Sequence, residues 1–395
     1  MAQFKGQNYF LREVMELMRF EIIAQASKKS NLVPAIAGDP GIGKSASIKA
    51  LAEEMNTDCL IMSLGALPME WFSGLPDFNK IKINKDISLI ELDEVKVTEW
   101  TMSDIVRIIM LKTEHALANG KDGLIILLDD LHLVEPYTQK YLFEFFQNKT
   151  LQNFRLPEKA YLVAAMNISS SAGFEGFNEA VLDRMSIYSA KFDRDYWYDK
   201  IGATLHPLIA SFTKDNSNMN LLLGANEMDT VSPSPRSWTE LSTFLEVLEE
   251  NARDEDEFLR MTRIASASRV GDEATREFIK HSKLFQKYNF SAKIKKGEVF
   301  EVSDDLTEQI LTGFVIRYMN TKKDAKFILD LINANKDKRT FVSTLLNEYN
   351  ILNTMVNKNQ DHPIKEPVEE LASLLMDSDD NELIDLICSS MTDLM

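Results

Sequence analysis

The sequence predicts an α/β fold: a mostly parallel sheet covered by helices on both faces, followed by an all-helical region. Three observations carry this. Short aliphatic runs such as Leu32–Ala37 (LVPAIA) and Gly123–Leu128 (GLIILL) lack an alternating polar face, as strands buried on both sides do. These runs alternate with segments of helical periodicity, the pattern of parallel strands joined by crossover helices. From about residue 195 onward strand signals nearly vanish. The chain has 395 residues, a length that suits two or three domains.

Taken in order, residues 8–29 place Leu11, Val14, Met15, Met18 and Ile22 at helical spacing. The run Leu32–Ala37 is the first strand, and residues 45–55 form the helix after it. Cys59–Ser63 is a second buried strand. Residues 80–99 alternate loosely, with Ile81, Ile83, Ile87 and Leu89 apolar, and predict a hairpin insert. Met102–Ala118 reads as a helix, Gly123–Leu128 as the third strand, and Pro136 as the opening of another helix. Tyr161–Met166 and Met185–Phe192 are the fourth and fifth strands. Helices are then expected at 194–212, 237–252, 272–286, 304–319, 322–335 and 339–355. The Asn-, Ser- and Pro-rich stretch 213–235 reads as a loop. Residues 361–395 carry ten acids against one base, yet keep helical spacing at Leu371, Leu374 and Leu375, then at Leu383, Ile384 and Ile387.

Composition narrows the classes of function. The net charge is −17, so the chain as a whole repels nucleic acid and anionic membrane, although a local basic groove remains compatible. Two cysteines, Cys59 and Cys388, lie far apart in sequence, which fits a reducing compartment rather than a disulfide framework. The five histidines (115, 132, 206, 281 and 362) show no metal-ligand spacing. The N-terminus has no apolar signal region, and no apolar run is long enough to span a bilayer. The expectation is a cytoplasmic protein without a structural metal.

Gly38-Asp39-Pro40-Gly41-Ile42-Gly43-Lys44-Ser45 fits the phosphate-binding loop G-x-x-x-x-G-K-[ST], in its proper place between a strand and a helix. Its glycines let backbone N–H groups point inward around a β-phosphate, and the following helix adds its positive end. Lys44 is expected to reach the β- and γ-phosphates of ATP, and the Ser45 hydroxyl to ligate Mg²⁺. Asp129 and Asp130 end the strand LIILL, where a carboxylate is costly unless it faces a cation or solvent. Asp129 is placed to hold a Mg²⁺-bound water and Asp130 to polarise the attacking water; read in isolation, the pair could equally open a turn. Asn167 ends the strand YLVAAM, where ligands bind in open α/β sheets, but asparagine is also a common turn residue. Arg184 (in NEAVLDRM) and Arg236 (in SPSPRSW) could each neutralise phosphate charge or simply cap a helix end.

The ordered set GDPGIGKS, LIILLDDLHLVEP, VAAMN, VLDRM and SPSPRSW resembles the AAA+ ATPases, the MoxR-like branch in particular. SGLPDF (73–78) and ASRVGDEATREFIKHSKLF (267–285) fit that branch, and the resemblance spans roughly residues 10–290. It implies a P-loop core with sheet order 5-1-4-3-2 in residues 1–192, a helical lid in 193–290 and a helical C-terminal region with an acidic tail in 291–395. It makes Gly43, Lys44 and Ser45 the Walker A motif and Asp129 and Asp130 the Walker B motif. Asn167 becomes sensor 1, Arg184 an arginine finger acting on a neighbouring subunit, and Arg236 sensor 2. It also implies a homo-oligomeric ring, usually a hexamer, which remodels a protein partner, often one with a von Willebrand A domain.

One departure from the family stands out. Walker B there ends Asp-Glu, whereas Asp129-Asp130 ends one methylene short, a C–C bond of about 1.5 Å. Slow hydrolysis, or an ATP-dependent scaffold, is therefore the alternative expectation, with Glu135 a nearby acid that could help. A nucleic-acid motor or loader is a third reading, opposed by the charge. With the loop at residue 38, substrate contact is expected from core inserts, the pore or the helical C-terminus. Trp71-Phe72 are pore-aromatic candidates for which core packing is the competing expectation.

Overall fold

The computed structural model describes residues 8–82, 94–151, 154–167, 177–224, 231–358 and 362–376. The chain divides into two compact units, one ending at Asp193 and the other starting at Arg194.

The first unit runs β1 (Tyr9–Phe10), α1 (Leu11–Ala26), β2 (Val33–Gly38), α2 (Lys44–Glu54), β3 (Asp58–Ser63), α3 (Glu70–Ser73), β4 (Pro76–Lys82), β5 (Glu94–Trp100) and α4 (Asp104–Ala118). It continues with β6 (Leu124–Asp129), α5 (Gln139–Asn148), β7 (Thr150–Leu151), β8 (Phe154–Arg155), β9 (Ala160–Asn167), α6 (Glu179–Leu182) and β10 (Met185–Lys191). The main sheet is parallel, in the order β1-β10-β2-β9-β6-β3. The five strands after β1, β10-β2-β9-β6-β3, reproduce the expected 5-1-4-3-2 order. The sheet has six strands rather than the expected five, because the two residues before α1 pair with Ala190 and Lys191 at the edge. Two residues are too few to show periodicity, so that strand has no sequence signal.

β2, β6 and β9 are buried along almost their whole length, as their unbroken aliphatic runs require. Pro34 sits within β2, but pairing with β9 starts only at Ala35. Below that point Gln25 of α1 takes over. Its Nε2 donates to the Leu162 carbonyl at 2.8 Å, and its Oε1 accepts from the Leu162 N–H at 3.1 Å. A buried side-chain amide thus satisfies backbone groups that the neighbouring strand does not reach. The expected hairpin insert exists as the antiparallel pair β4–β5, and the residues between those strands lie outside the described set. Pro136 does not open a helix. Residues after the short 3₁₀ turn Leu131–Leu133 stay in a turn, and α5 begins at Gln139. There the Glu135 carbonyl accepts from both Thr138 and Gln139.

The second unit is helical: α7 (Arg194–Ile201), α8 (Pro207–Lys214), α9 (Pro235–Asn251), α10 (Glu255–Tyr288), α11 (Phe290–Lys296), α12 (Leu306–Gly313), α13 (Lys322–Ala334), α14 (Arg339–Lys358) and α15 (Lys365–Met376). The single helix expected at 194–212 is two, separated by a 3₁₀ turn and restarted by Pro207 at a first helical turn. The helix expected at 304–319 ends at Gly313 and tightens into the 3₁₀ segment Phe314–Tyr318. The one expected at 272–286 is the second half of α10, which kinks at Gly271, where φ is +82°. Residues 377–395 of the acidic tail lie outside the described set. No described helix is long and apolar enough to cross a membrane.

Candidate functional site

The carboxyl ends of β2, β6 and β9, adjacent in the sheet, place four of the sequence-expected residues in hydrogen-bond contact. β2 ends at Gly38, whose Cα packs against β10. A Cβ there would lie 2.5 Å from the Ala190 carbonyl oxygen and 2.8 Å from Ile42 Cδ1, so only glycine fits. Asp39 and Pro40 are exposed, while Ile42 is buried and anchors the loop. Gly43 enters α2 with φ +97°, a left-handed conformation that glycine adopts at little cost.

Lys44, 7% exposed, is the hub. Its Nζ donates to the carbonyls of Gly38 and Asp39 at 2.8 Å each and to Asn167 Oδ1 at 2.7 Å. An ammonium has three protons, and three acceptors stand within reach. One residue on, Ser45 Oγ donates to Asp129 Oδ2 at 2.5 Å. The other oxygen of Asp129 accepts the N–H of Asp130 at 2.9 Å. Asp130 takes the left-handed conformation, φ +53°, and its carboxylate accepts from Ser63 Oγ on β3 at 3.1 Å.

His132 belongs to this cluster. The Asn167 N–H donates to His132 Nδ1 at 3.3 Å, which leaves the ring proton on Nε2. Burial holds its pKa below the ordinary 6.5; Lys44 pushes the same way, against Asp130 and Asp129. In the sequence a lone histidine after a strand carries no such signal, because its partner lies 35 residues away. Ser63 was equally hidden.

Arg184 does not join the cluster. It stacks on Phe143 at 3.7 Å, bonds Gln147 Oε1 through Nε and Nη2 at 3.1 and 3.0 Å, and bonds the Ala180 carbonyl through Nη1 at 2.5 Å. Arg236 lies in the helical unit, exposed in the first turn of α9, which Ser234 caps. Glu135 is exposed and makes no side-chain hydrogen bond to Asp129 or Asp130 among the described residues. Phe72 is buried against the core and stacks with Tyr141 at 6.4 Å, and Trp71 packs against the same core half-buried.

Loop, strand order and the polar cluster at the strand ends together define a P-loop α/β fold in the AAA+ arrangement. No family model matches the chain, and no curated protein matches it in sequence. Among solved structures it is similar to the RuvB Holliday junction branch migration motor of Thermotoga maritima, at 13% identity and a TM-score of 0.39 over 74% of this chain and 78% of that one. A mutant of the same protein gives 12% identity and a TM-score of 0.40 over 82% and 85%. A likeness at this level assigns this chain neither an activity nor a substrate.

Proposed function

We propose that the chain is an AAA+ ATPase of the MoxR-like branch, which binds ATP at Gly38–Ser45 and hydrolyses it in a homo-oligomeric ring, expected to be hexameric, to remodel or assemble a protein partner. The observation that carries the reading is the pair of links Lys44–Asn167 and Ser45–Asp129, which join the glycine loop to two neighbouring strand ends. The Ser45 hydroxyl and Asp129 carboxylate are the hard oxygen donors that suit Mg²⁺ beside phosphate. The ion would neutralise charge on the β- and γ-phosphates.

This chain's residues then act as follows. Loop N–H groups and the α2 N-terminus cradle the phosphates. Lys44 exchanges the Asn167 amide for phosphate oxygens, which frees Asn167 Oδ1 to orient water or the γ-phosphate. His132, holding the Asn167 backbone, fixes where that amide points. Asp130 is the candidate to polarise water. Arg184 would have to leave Phe143 and Gln147 to reach a neighbouring subunit's nucleotide, and Arg236 is the lid's contribution. A scaffold that binds ATP and turns it over slowly is the second reading, favoured by the Ser63 hydrogen bond that occupies the short Asp130 carboxylate.

Equilibrium binding of Mg-ATP and steady-state hydrolysis test both. The native chain is expected to bind, and Lys44→Ala to lose about a hundredfold in hydrolysis, the loss typical of removing one preorganised charge-stabilising donor. Hydrolysis unchanged in Lys44→Ala, in a variant that keeps its fold by circular dichroism, would overturn the proposal.

A further inference from the structure

The helical unit contains a cavity that the nucleotide chemistry does not use. It holds about 340 Å³ and lies among α8, the C-terminal end of α9, α10 and the 3₁₀ segment before Met319. That volume falls in the range of small-ligand clefts, roughly 300–1,000 Å³.

Its lining is one-sided in charge. Glu249, Asp254 and Glu255 contribute carboxylates, and no lysine or arginine is among the lining residues. Of the arginines adjacent in sequence to lining residues, Arg253 is committed to Glu257 through bonds of 2.6 and 2.8 Å and Arg317 to Glu348 through bonds of 2.8 and 2.5 Å. His206 is the one basic side chain on the lining, and it already bonds Glu249. Its Nδ1 accepts the Leu208 N–H at 3.2 Å, and its Nε2 donates to Glu249 Oε2 at 3.1 Å.

The walls are aromatic. Phe258, Phe285, Phe290 and Tyr318 line the cavity, with Phe285 edge-on to Phe290 at 5.3 Å. Ser282, fully buried in α10, also lines the cavity, and its Oγ has no hydrogen-bond partner among the described residues. A buried hydroxyl without a partner is unfavourable unless a ligand or water completes it. Carboxylates, π faces and an unused hydroxyl lining one cavity match one kind of group. It is a cation with several N–H donors on an apolar stem.

We propose that this cavity binds an alkylguanidinium or alkylammonium group, with the charged head between Glu249 and Glu255 and the Ser282 hydroxyl accepting one of its N–H groups. An arginine or lysine side chain of a partner polypeptide and a free polyamine-class cation share this chemistry. Titration calorimetry of the full chain separates them, using N-acetylarginine amide, agmatine and spermidine as probes and N-acetylcitrulline amide as the neutral isostere. Binding of the arginine amide supports a polypeptide source, and binding of agmatine or spermidine alone supports a free cation.

In either case Glu249→Gln with Glu255→Gln is expected to weaken binding about tenfold or more, and citrulline amide to bind at least about tenfold more weakly than arginine amide. Glu255 is exposed in the first turn of α10, so Glu255→Gln alone, checked by circular dichroism, serves as the variant that keeps the fold. No heat from any cation at millimolar concentration, citrulline amide binding as tightly as its charged isostere, or carboxamide variants binding unchanged would each overturn the proposal.

Discussion

Among the described residues, each unit encloses a cationic side chain, and the two are built for opposite ends. In the helical unit Arg317 donates Nε and Nη2 to Glu348 Oε2 at 2.8 and 2.5 Å, Nη1 to the Leu205 carbonyl at 2.7 Å and Nη2 to the Gly202 carbonyl at 2.8 Å. Tyr198 and Lys214 donate to the other oxygen of Glu348 at 2.9 and 3.2 Å. Glu348 has no exposed side-chain surface and Arg317 has 5%. Lys44, in the sheet unit, also meets two backbone carbonyls, but on a glycine loop whose Asp39 and Pro40 are exposed. Its Nζ also bonds the uncharged Asn167 amide. The first arrangement uses both carboxylate oxygens and leaves no room for a substitute. The second leaves a cation whose acceptors another anion can replace. Burial with a bonded counter-charge marks the first as a structural ion pair, and uncharged acceptors on an exposed loop mark the second as a cation poised to exchange partners.

The largest expected effect tests the sealed pair. Glu348→Ala leaves Arg317 buried without its counter-charge, and unfolding in denaturant is expected to show a loss of about 3–5 kcal/mol. Replacing both members, Arg317→Met with Glu348→Leu, should recover much of that. A loss below about 1 kcal/mol in the single variant would mean water reaches the pair, and the contrast with Lys44 would fail.

The next effect concerns acid. His281 is buried in the helical unit, with Nε2 2.8 Å from Ser211 Oγ, and burial drives its pKa from 6.5 down to about 4, against the opposing charge of Asp215. The folded state keeps it neutral while the unfolded state binds a proton below 6.5. Its contribution is therefore complete above pH 6.5 and is lost as pH falls from 6.5 towards 4, by roughly 3 kcal/mol in all. Stability measured at pH 7 and pH 4 should differ less in His281→Gln than in the native chain. An equal difference in both would show that His281 is not the group responsible.

The site and the fold were unequally legible. The loop GDPGIGKS and the strand ends at Asp129 and Asn167 could be read because each is a local pattern: a fixed spacing, or a polar residue closing an aliphatic run. The buried strands β2, β6 and β9 followed from the same runs, whereas Cys59–Ser63, expected to be buried, is the edge strand β3, with Ile61 45% exposed. What the sequence did not reveal depends on partners far along the chain. Gln25 completes Leu162, His132 holds Asn167, and Ser63 holds Asp130, none of which any spacing announces. The first half of α10 was missed for a different reason. Its opening turn is acidic and polar, with Glu255, Asp256 and Glu257, a composition that favours a helix N-terminus but weakens the apolar stripe by which helices are recognised.

The smallest effect bears on Asp130, where the open site meets a constraint of its own. Under the proposed function, glutamate would extend the carboxylate that polarises water by one methylene. Yet residue 130 sits at φ +53°, a conformation that short Asp and Asn side chains tolerate better than longer ones. Glutamate would also lose the Ser63 hydrogen bond that now occupies the aspartate. Asp130→Glu is thus expected to raise steady-state hydrolysis by about tenfold, or ~1.4 kcal/mol in barrier, while lowering stability by under about 1 kcal/mol. Both quantities come from one preparation, by phosphate release and by thermal denaturation. A gain in rate would mean that the native aspartate favours holding ATP over spending it, as a scaffold requires. No gain, together with robust native turnover that Asp130→Asn abolishes, would mean that the shorter acid already reaches its water, and the scaffold reading would be lost.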